Sequence, residues 1–242
     1  MLVYRIYPHL PGAPPDAAGH PMYVSTQGAG RLDNPGHYRI WYLALEPAGA
    51  VAEAFGDLNE WNTEMFAFPS LPESRLTLAT YHLQDDIPLL DLDDARNLYV
   101  RGLRPTQIIE RNRTATQAWA LGIYSERNDR GARIWHGVRW WSYHRPQWRI
   151  VGYWGDDSPR VLQIEELTVA TPAVTDAATS LKRRVRLPTA PPSQVREAAA
   201  FREEVFKKAT TDDPAEAELP DSCPNPATPA RRRARPLDLS RL

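Results

Sequence analysis

A single cysteine, Cys223, stands among 242 residues, so an internal disulfide is excluded and no Cys/His group has the spacing of a structural zinc site. A reducing cytoplasm is the expected compartment. Charge of one sign is also lacking: 29 Lys+Arg against 30 Asp+Glu leave a formal charge of -1. That balance removes the electrostatic footprint of a general nucleic-acid binder. No apolar run is long enough to span a bilayer, and Met1 to Tyr7, followed by the Pro8 to Pro15 stretch, lacks the basic-then-apolar order of an export signal. Neither common glycine-rich phosphate loop is present, which argues against triphosphate hydrolysis and a Rossmann-type dinucleotide site. The six histidines include no i, i+4 pair. No metal is expected, although His20 and His37 bracket the loop that holds Arg31. Asp85-Asp86 and Asp93-Asp94 read as turn and helix-start charges rather than as a two-metal site.

What the chain does hold is unevenly distributed. All eight tryptophans lie between Trp41 and Trp154, whereas Thr171 to Leu242 carries 10 of the 23 prolines and two aromatics, Phe201 and Phe206. A segment of that composition buries too little apolar surface to offset its ordering entropy. The expected division is therefore a folded domain over 1–170 and a largely disordered Pro/Ala/Arg-rich tail over 171–242. Within the tail, 193–208 reads as a helix capped by Ser193, and the Arg231 to Arg235 cluster as solvated charge. In the first part, β-rich runs are expected as strands: Leu2 to Tyr7, Ile40 to Leu45, Leu76 to Leu83, Ile134 to Trp141, Trp148 to Trp154 and Val161 to Val169. Trp148, Ile150, Gly152 and Trp154 should share one face. Pro47 suits the first position of a helix containing Glu53, and a second helix is expected from about Thr114 or Thr116 to Tyr124.

The densest special stretch is Gly28-Ala29-Gly30-Arg31-Leu32-Asp33-Asn34-Pro35-Gly36. Glycine lets an anion approach the backbone, and guanidinium offers a planar pair of donors, so Arg31 is an anion-site candidate. A loop arginine beside an Asn-Pro-Gly turn is the alternative. Tyr42 follows Arg31 by 11 residues and Glu53 follows Tyr42 by 11, so a strand and its following helix could return Glu53 toward that loop. On spacing alone, Glu53 reads more readily as a solvent-facing helix residue and Tyr42 as a strand residue packed into the core.

Further along stands Gly137-Val138-Arg139-Trp140-Trp141-Ser142. Taken with Gly30-Arg31, Asn34-Pro35, Tyr42-Leu43-Ala44, Glu53 and Thr116-Gln117-Ala118-Trp119-Ala120, this ordered set resembles the RES domain family, named for a separated Arg, Glu and Ser. The resemblance covers about Val3 to Trp154. It implies an α+β fold, an ADP-ribosyltransferase-like mixed β core with flanking helices. It also implies an enzyme that degrades NAD by phosphorolysis or hydrolysis of the nicotinamide-ribose bond, with NAD and phosphate as substrates and no separate cofactor. Many members resemble bacterial toxins held by an Xre-type helix-turn-helix antitoxin.

Under the resemblance, Arg31, Glu53 and Ser142 match the family's Arg, Glu and Ser, and Tyr42 its strand tyrosine. Ser125 is a poorer match for the serine. Two positions depart: Leu32 replaces the common aromatic after the arginine, and Tyr143 to Trp148 lacks the family's downstream Asn. Chemistry asks for these residue types independently. Cleaving a ribose to pyridinium bond develops positive charge at the anomeric carbon, which a fixed carboxylate such as Glu53 would stabilise. Nicotinamide leaves neutral and needs no general acid. Arg31 would bind a phosphate group, Tyr42 pack on nicotinamide or ribose, and Ser142 orient an amide or phosphate oxygen. Two other expectations stay open: a RES-like nucleotide- or protein-binding module without turnover, and ADP-ribosyl transfer to a macromolecule. Oligomeric state is open as well.

Overall fold

The computed structural model describes residues 1–24, 27–110 and 112–187. The chain divides into two units, Met1–Thr189 and Ala190–Leu242, of which the second lies outside the described residues. The helix expected over 193–208 falls there too.

The first unit is α+β. Seven strands, β1 (Leu2–His9), β2 (Trp41–Ala44), β4 (Arg75–His82), β5 (Leu89–Asp91), β6 (Gly137–Trp141), β7 (Arg149–Tyr153) and β8 (Arg160–Glu166), form one mixed sheet in the order β5-β6-β7-β2-β1-β4-β8. Only β5 and β6 run parallel; the other neighbours are antiparallel. A two-stranded parallel pair joins β3 (Glu60–Trp61) to β9 (Arg184–Val185). The helices are α1 (Pro47–Phe55), α2 (Ala95–Val100), α3 (Pro105–Ile108), α4 (Arg113–Tyr124) and α5 (Pro172–Leu181).

Strand alternation assigns the two sheet faces. One face carries Tyr42, Ala44, Val138, Trp140 and Ile150 and packs with α1, α4 and α5 through Val51, Phe55, Ala120, Ile123, Val174 and Ala177. The opposite face carries Val3, Tyr7, Trp41, Leu43, Tyr81, Val151 and Tyr153, with Met22 and Val24 of the loop after β1 packed on them. Trp148, Ile150 and Trp154 fall together on the helical face, as their spacing requires.

The pairing at the centre of the sheet is uneven. β1 matches β4 along its whole length, from Leu2↔His82 to His9↔Arg75. Its register with β2 consists of Tyr4↔Ala44. Beyond that rung the strands diverge into a fork, with Arg5 on one prong and Leu43 and Tyr42 on the other.

All six expected strand regions hold a strand, although β6 begins at Gly137 and β8 ends at Glu166. Pro47 opens α1 as anticipated, and Asp94 caps α2 by accepting from the Arg96 N–H at 2.8 Å. The boundary near Ala170 requires correction. Helix α5 and strand β9 lie beyond it in the same unit, with Val174 and Ala177 fully buried. Arg145 donates to the Ser180 carbonyl at 2.5 Å, and Arg183 donates to the Gly56 carbonyl at the end of α1. The composition shift misled because Pro172, counted with the tail, is the first residue of a helix, where a missing N–H costs nothing.

Candidate functional site

The Arg31 loop is built around a carboxylate. Asp33, 5% exposed, accepts from the N–H groups of Gly28 and Gly30, both at 2.7 Å, and from the Tyr42 hydroxyl at 2.7 Å. Tyr42 in turn accepts from the Leu32 N–H at 2.9 Å. Burial pushes the Tyr42 phenol well above its ordinary value, so it stays protonated as a donor to Asp33. From α4, Thr116 donates to the Arg31 carbonyl at 2.5 Å and Gln117 to the Gly30 carbonyl at 2.9 Å. The Thr116-Gln117 motif thus holds the arginine loop from behind.

Gly30 is required by a close approach. A Cβ there would lie 2.5 Å from both Asp33 Oδ1 and the Tyr42 hydroxyl. Gly30→Ala is expected to destabilise the protein by about 1–3 kcal/mol through overpacking, measured as a lowered midpoint in thermal or urea unfolding.

The Arg31 guanidinium sits 5.7 Å above the Trp140 ring and donates to the Ile108 carbonyl at 3.1 Å. Strand β6 carries Trp140 and delivers Ser142 just past its end. Ser142 is 1% exposed. Its hydroxyl donates to Glu53 Oε1 at 2.6 Å and accepts from the His144 N–H at 3.1 Å. Glu53 itself lies on the exposed side of α1, where the fold leaves it open to solvent. The pair separated by 89 residues in sequence is therefore joined directly.

Two cavities share Arg31 and Glu53 in their walls. One of about 390 Å³ lies in the fork between β1 and β2 and is lined by Arg31, Tyr42, Glu53 and Trp140, with Arg5 and Ala50. Another of about 350 Å³ is lined by Arg31 and Glu53 again, with Asp57, Arg113, Tyr143 and His144. The structure thus brings Arg31, Tyr42, Glu53 and Ser142 together. Ser125 is elsewhere, its hydroxyl donating to the Leu121 carbonyl at the end of α4. Leu32 turns into the core at 1% exposure and packs near Gly152, so its side chain offers the cavity no stacking surface. His37 is exposed outside both cavities, and among the described residues no three His, Cys, Asp or Glu form a metal-holding group.

Sequence reading missed Arg5 and Asp33. Arg5 is a charged residue in an otherwise apolar strand, a signal that alternation alone reads as a solvent-facing position. Instead its guanidinium rests 5.1 Å from the Trp41 ring. Asp33 was hidden inside a stretch that reads as a turn.

The fork of this mixed α+β sheet thus gathers Arg31, Tyr42 and Glu53 in one cavity wall, with Ser142 hydrogen-bonded to Glu53. The RES domain family model matches residues 2–178, and the chain belongs to that family. That span runs through most of α5, in agreement with the folded unit. No curated protein matches the chain. Among the described residues no helix is long and apolar enough to cross a membrane.

Proposed function

We propose that the chain cleaves NAD at the nicotinamide-ribose bond and passes the ADP-ribosyl group to phosphate or water. The observation that carries this reading is the 2.6 Å hydrogen bond from Ser142 to Glu53 at the edge of a cleft that also holds Arg31. As the bond to the pyridinium nitrogen breaks, its electron pair goes to the leaving nicotinamide, which departs neutral. Positive charge grows on the ribose anomeric carbon, and the Glu53 carboxylate stabilises it. Ser142 holds that carboxylate in one orientation, so little reorganisation accompanies charge development. Arg31 binds a phosphate oxygen of the substrate or the acceptor, and the Tyr42 ring forms cleft wall while its hydroxyl supports the loop. The second cavity, with Arg31 and Arg113, supports an anionic acceptor such as phosphate.

NAD serves as substrate in this reading, without a separate cofactor. A toxin acting in the cytoplasm and restrained by a helix-turn-helix antitoxin is the corresponding biological role. The test is nicotinamide release from NAD by the purified full chain, with and without phosphate. Release with formation of ADP-ribose or its phosphate supports the reading. Absence of release favours a binding module, and ADP-ribose found covalently on protein or nucleic acid favours macromolecular transfer.

Ser142→Ala removes a hydrogen bond to a charged group, worth about 1.5–3 kcal/mol. Nicotinamide release should fall roughly ten- to hundredfold. Ser125→Ala, at an exposed helix end, should leave it within about twofold. Equal loading of both folded variants in one assay checks the assignment, and the reverse pattern would sink it.

A further inference from the structure

The groove does not end at Arg5. A third cavity of about 360 Å³ opens beside the loop after β1, lined by Arg5, Tyr7, Pro8, His20, Tyr23 and Phe68. A smaller one of about 220 Å³ is lined by Arg5 together with Tyr42 and Gln27. Shared lining residues therefore order the cavities: Glu53 and Tyr42 at one end, Arg5 in the middle, Tyr23 and Phe68 at the other.

Arg5 is held where an anion is called for. Its Nη1 donates to the Tyr23 carbonyl at 3.0 Å, and its guanidinium lies 5.9 Å from the Tyr7 ring centre. Burial draws it below the ordinary arginine range. No carboxylate ion-pairs with it among the described residues. A half-buried cation with neutral neighbours is costly unless a ligand supplies the counter-charge. The aromatic wall beyond it is built rather than loose: Tyr81 donates to the Pro21 carbonyl at 2.6 Å, and Leu10 N–H to the Gly19 carbonyl at 3.0 Å. Gly19 takes φ +98°, and a Cβ there would strike Leu10.

We propose that the cavity around Tyr23 and Phe68 is the subsite for the adenosine half of the dinucleotide, with the diphosphate lying over Arg5. This rests on the reading of NAD as substrate. A dinucleotide has its reacting bond at one end, its two phosphates in the middle and a flat base at the other, the same order in which the groove presents carboxylate, cation and aromatic rings. Tyr23 and Phe68 give the base faces to stack on, and Arg5 fixes the distance between stack and carboxylate. The subsite therefore makes the enzyme select a dinucleotide over nicotinamide mononucleotide, which carries the same scissile bond without the adenosine.

The test has a binding arm and a kinetic arm, both on the full chain. ADP, which holds the adenosine and diphosphate without any scissile bond, should bind the wild-type protein in a calorimetric titration. Tyr23→Ala and Phe68→Ala should each weaken it about ten- to hundredfold, the loss expected for one base-stacking ring. Tyr23→Phe keeps the ring and should bind as wild type. Kinetically, the two alanine variants should raise KM for NAD about tenfold with little change in kcat, and leave kcat/KM for nicotinamide mononucleotide unaltered. No ADP binding by wild type, unchanged binding in folded variants, or equal losses for both substrates would each overturn the subsite. ADP binding that depends on Tyr23, in a protein that releases no nicotinamide, would uphold the subsite and strike the cleavage reading instead. Circular dichroism identifies folded variants, and Phe68→Ala carries the test if Tyr23→Ala does not fold.

Discussion

Glu53→Gln is expected to lower nicotinamide release from NAD by about a hundredfold or more while leaving the fold intact. The substitution preserves volume, and an amide oxygen can still accept the hydrogen bond from Ser142, so the local geometry survives. Only the charge is lost. Glu53 is exposed on α1, which removes any large packing contribution to the outcome. Steady-state assays with a matched unfolding curve separate the two effects. A folded variant that turns over NAD at the wild-type rate would remove Glu53 from the chemistry and leave the Ser142 contact as a structural bond.

Ending the chain at Ala170 is expected to abolish the fold. Helix α5 buries Ala173, Val174, Ala177 and Ala178 in the core shared with α1. Burying a single valine side chain is worth about 1.5–3 kcal/mol, and domains hold a net margin of only about 5–15 kcal/mol. Losing the helix also uncovers Val51 and Phe55 and leaves Trp61 of β3 without its β9 partner Val185. The truncated chain should be recovered as aggregate or show no cooperative transition. A soluble, cooperatively melting product would show that the helical face closes without α5.

The elements legible in the sequence were those with several alternating or periodic residues: β1, β2, β4, β6, β7 and β8, and the helices α1 and α4. Strands β3, β5 and β9 have two or three residues, too few for any period to declare itself, and are defined by partners distant in the chain. Helix α5 was obscured by its setting. Its Ala- and Thr-rich sequence carries only Val174 and Leu181 as larger apolar residues, so it resembles the composition of the tail that follows.

For the candidate site, Arg31, Tyr42, Glu53 and Ser142 were reachable through the ordered resemblance, since spacing alone left Glu53 on an anonymous helix face. Their supports were not reachable. Asp33 acts by collecting two backbone N–H groups and a phenol into one loop, and Arg5 by standing where two strands part. Both roles depend on the arrangement of backbone around a side chain. A pattern of residue types does not carry that information.

The single registered rung between β1 and β2 divides the seven-stranded sheet into a block of four strands and a block of three, stitched at Tyr4 and Ala44. Each block keeps its own ladders if that stitch stretches, so the aperture between them can widen at the cost of few hydrogen bonds. A molecule seated in the gap then works as a keystone. Its contacts to both blocks replace the missing rungs, and the empty protein should exchange the amide hydrogens of β1 and β2 faster than the occupied one.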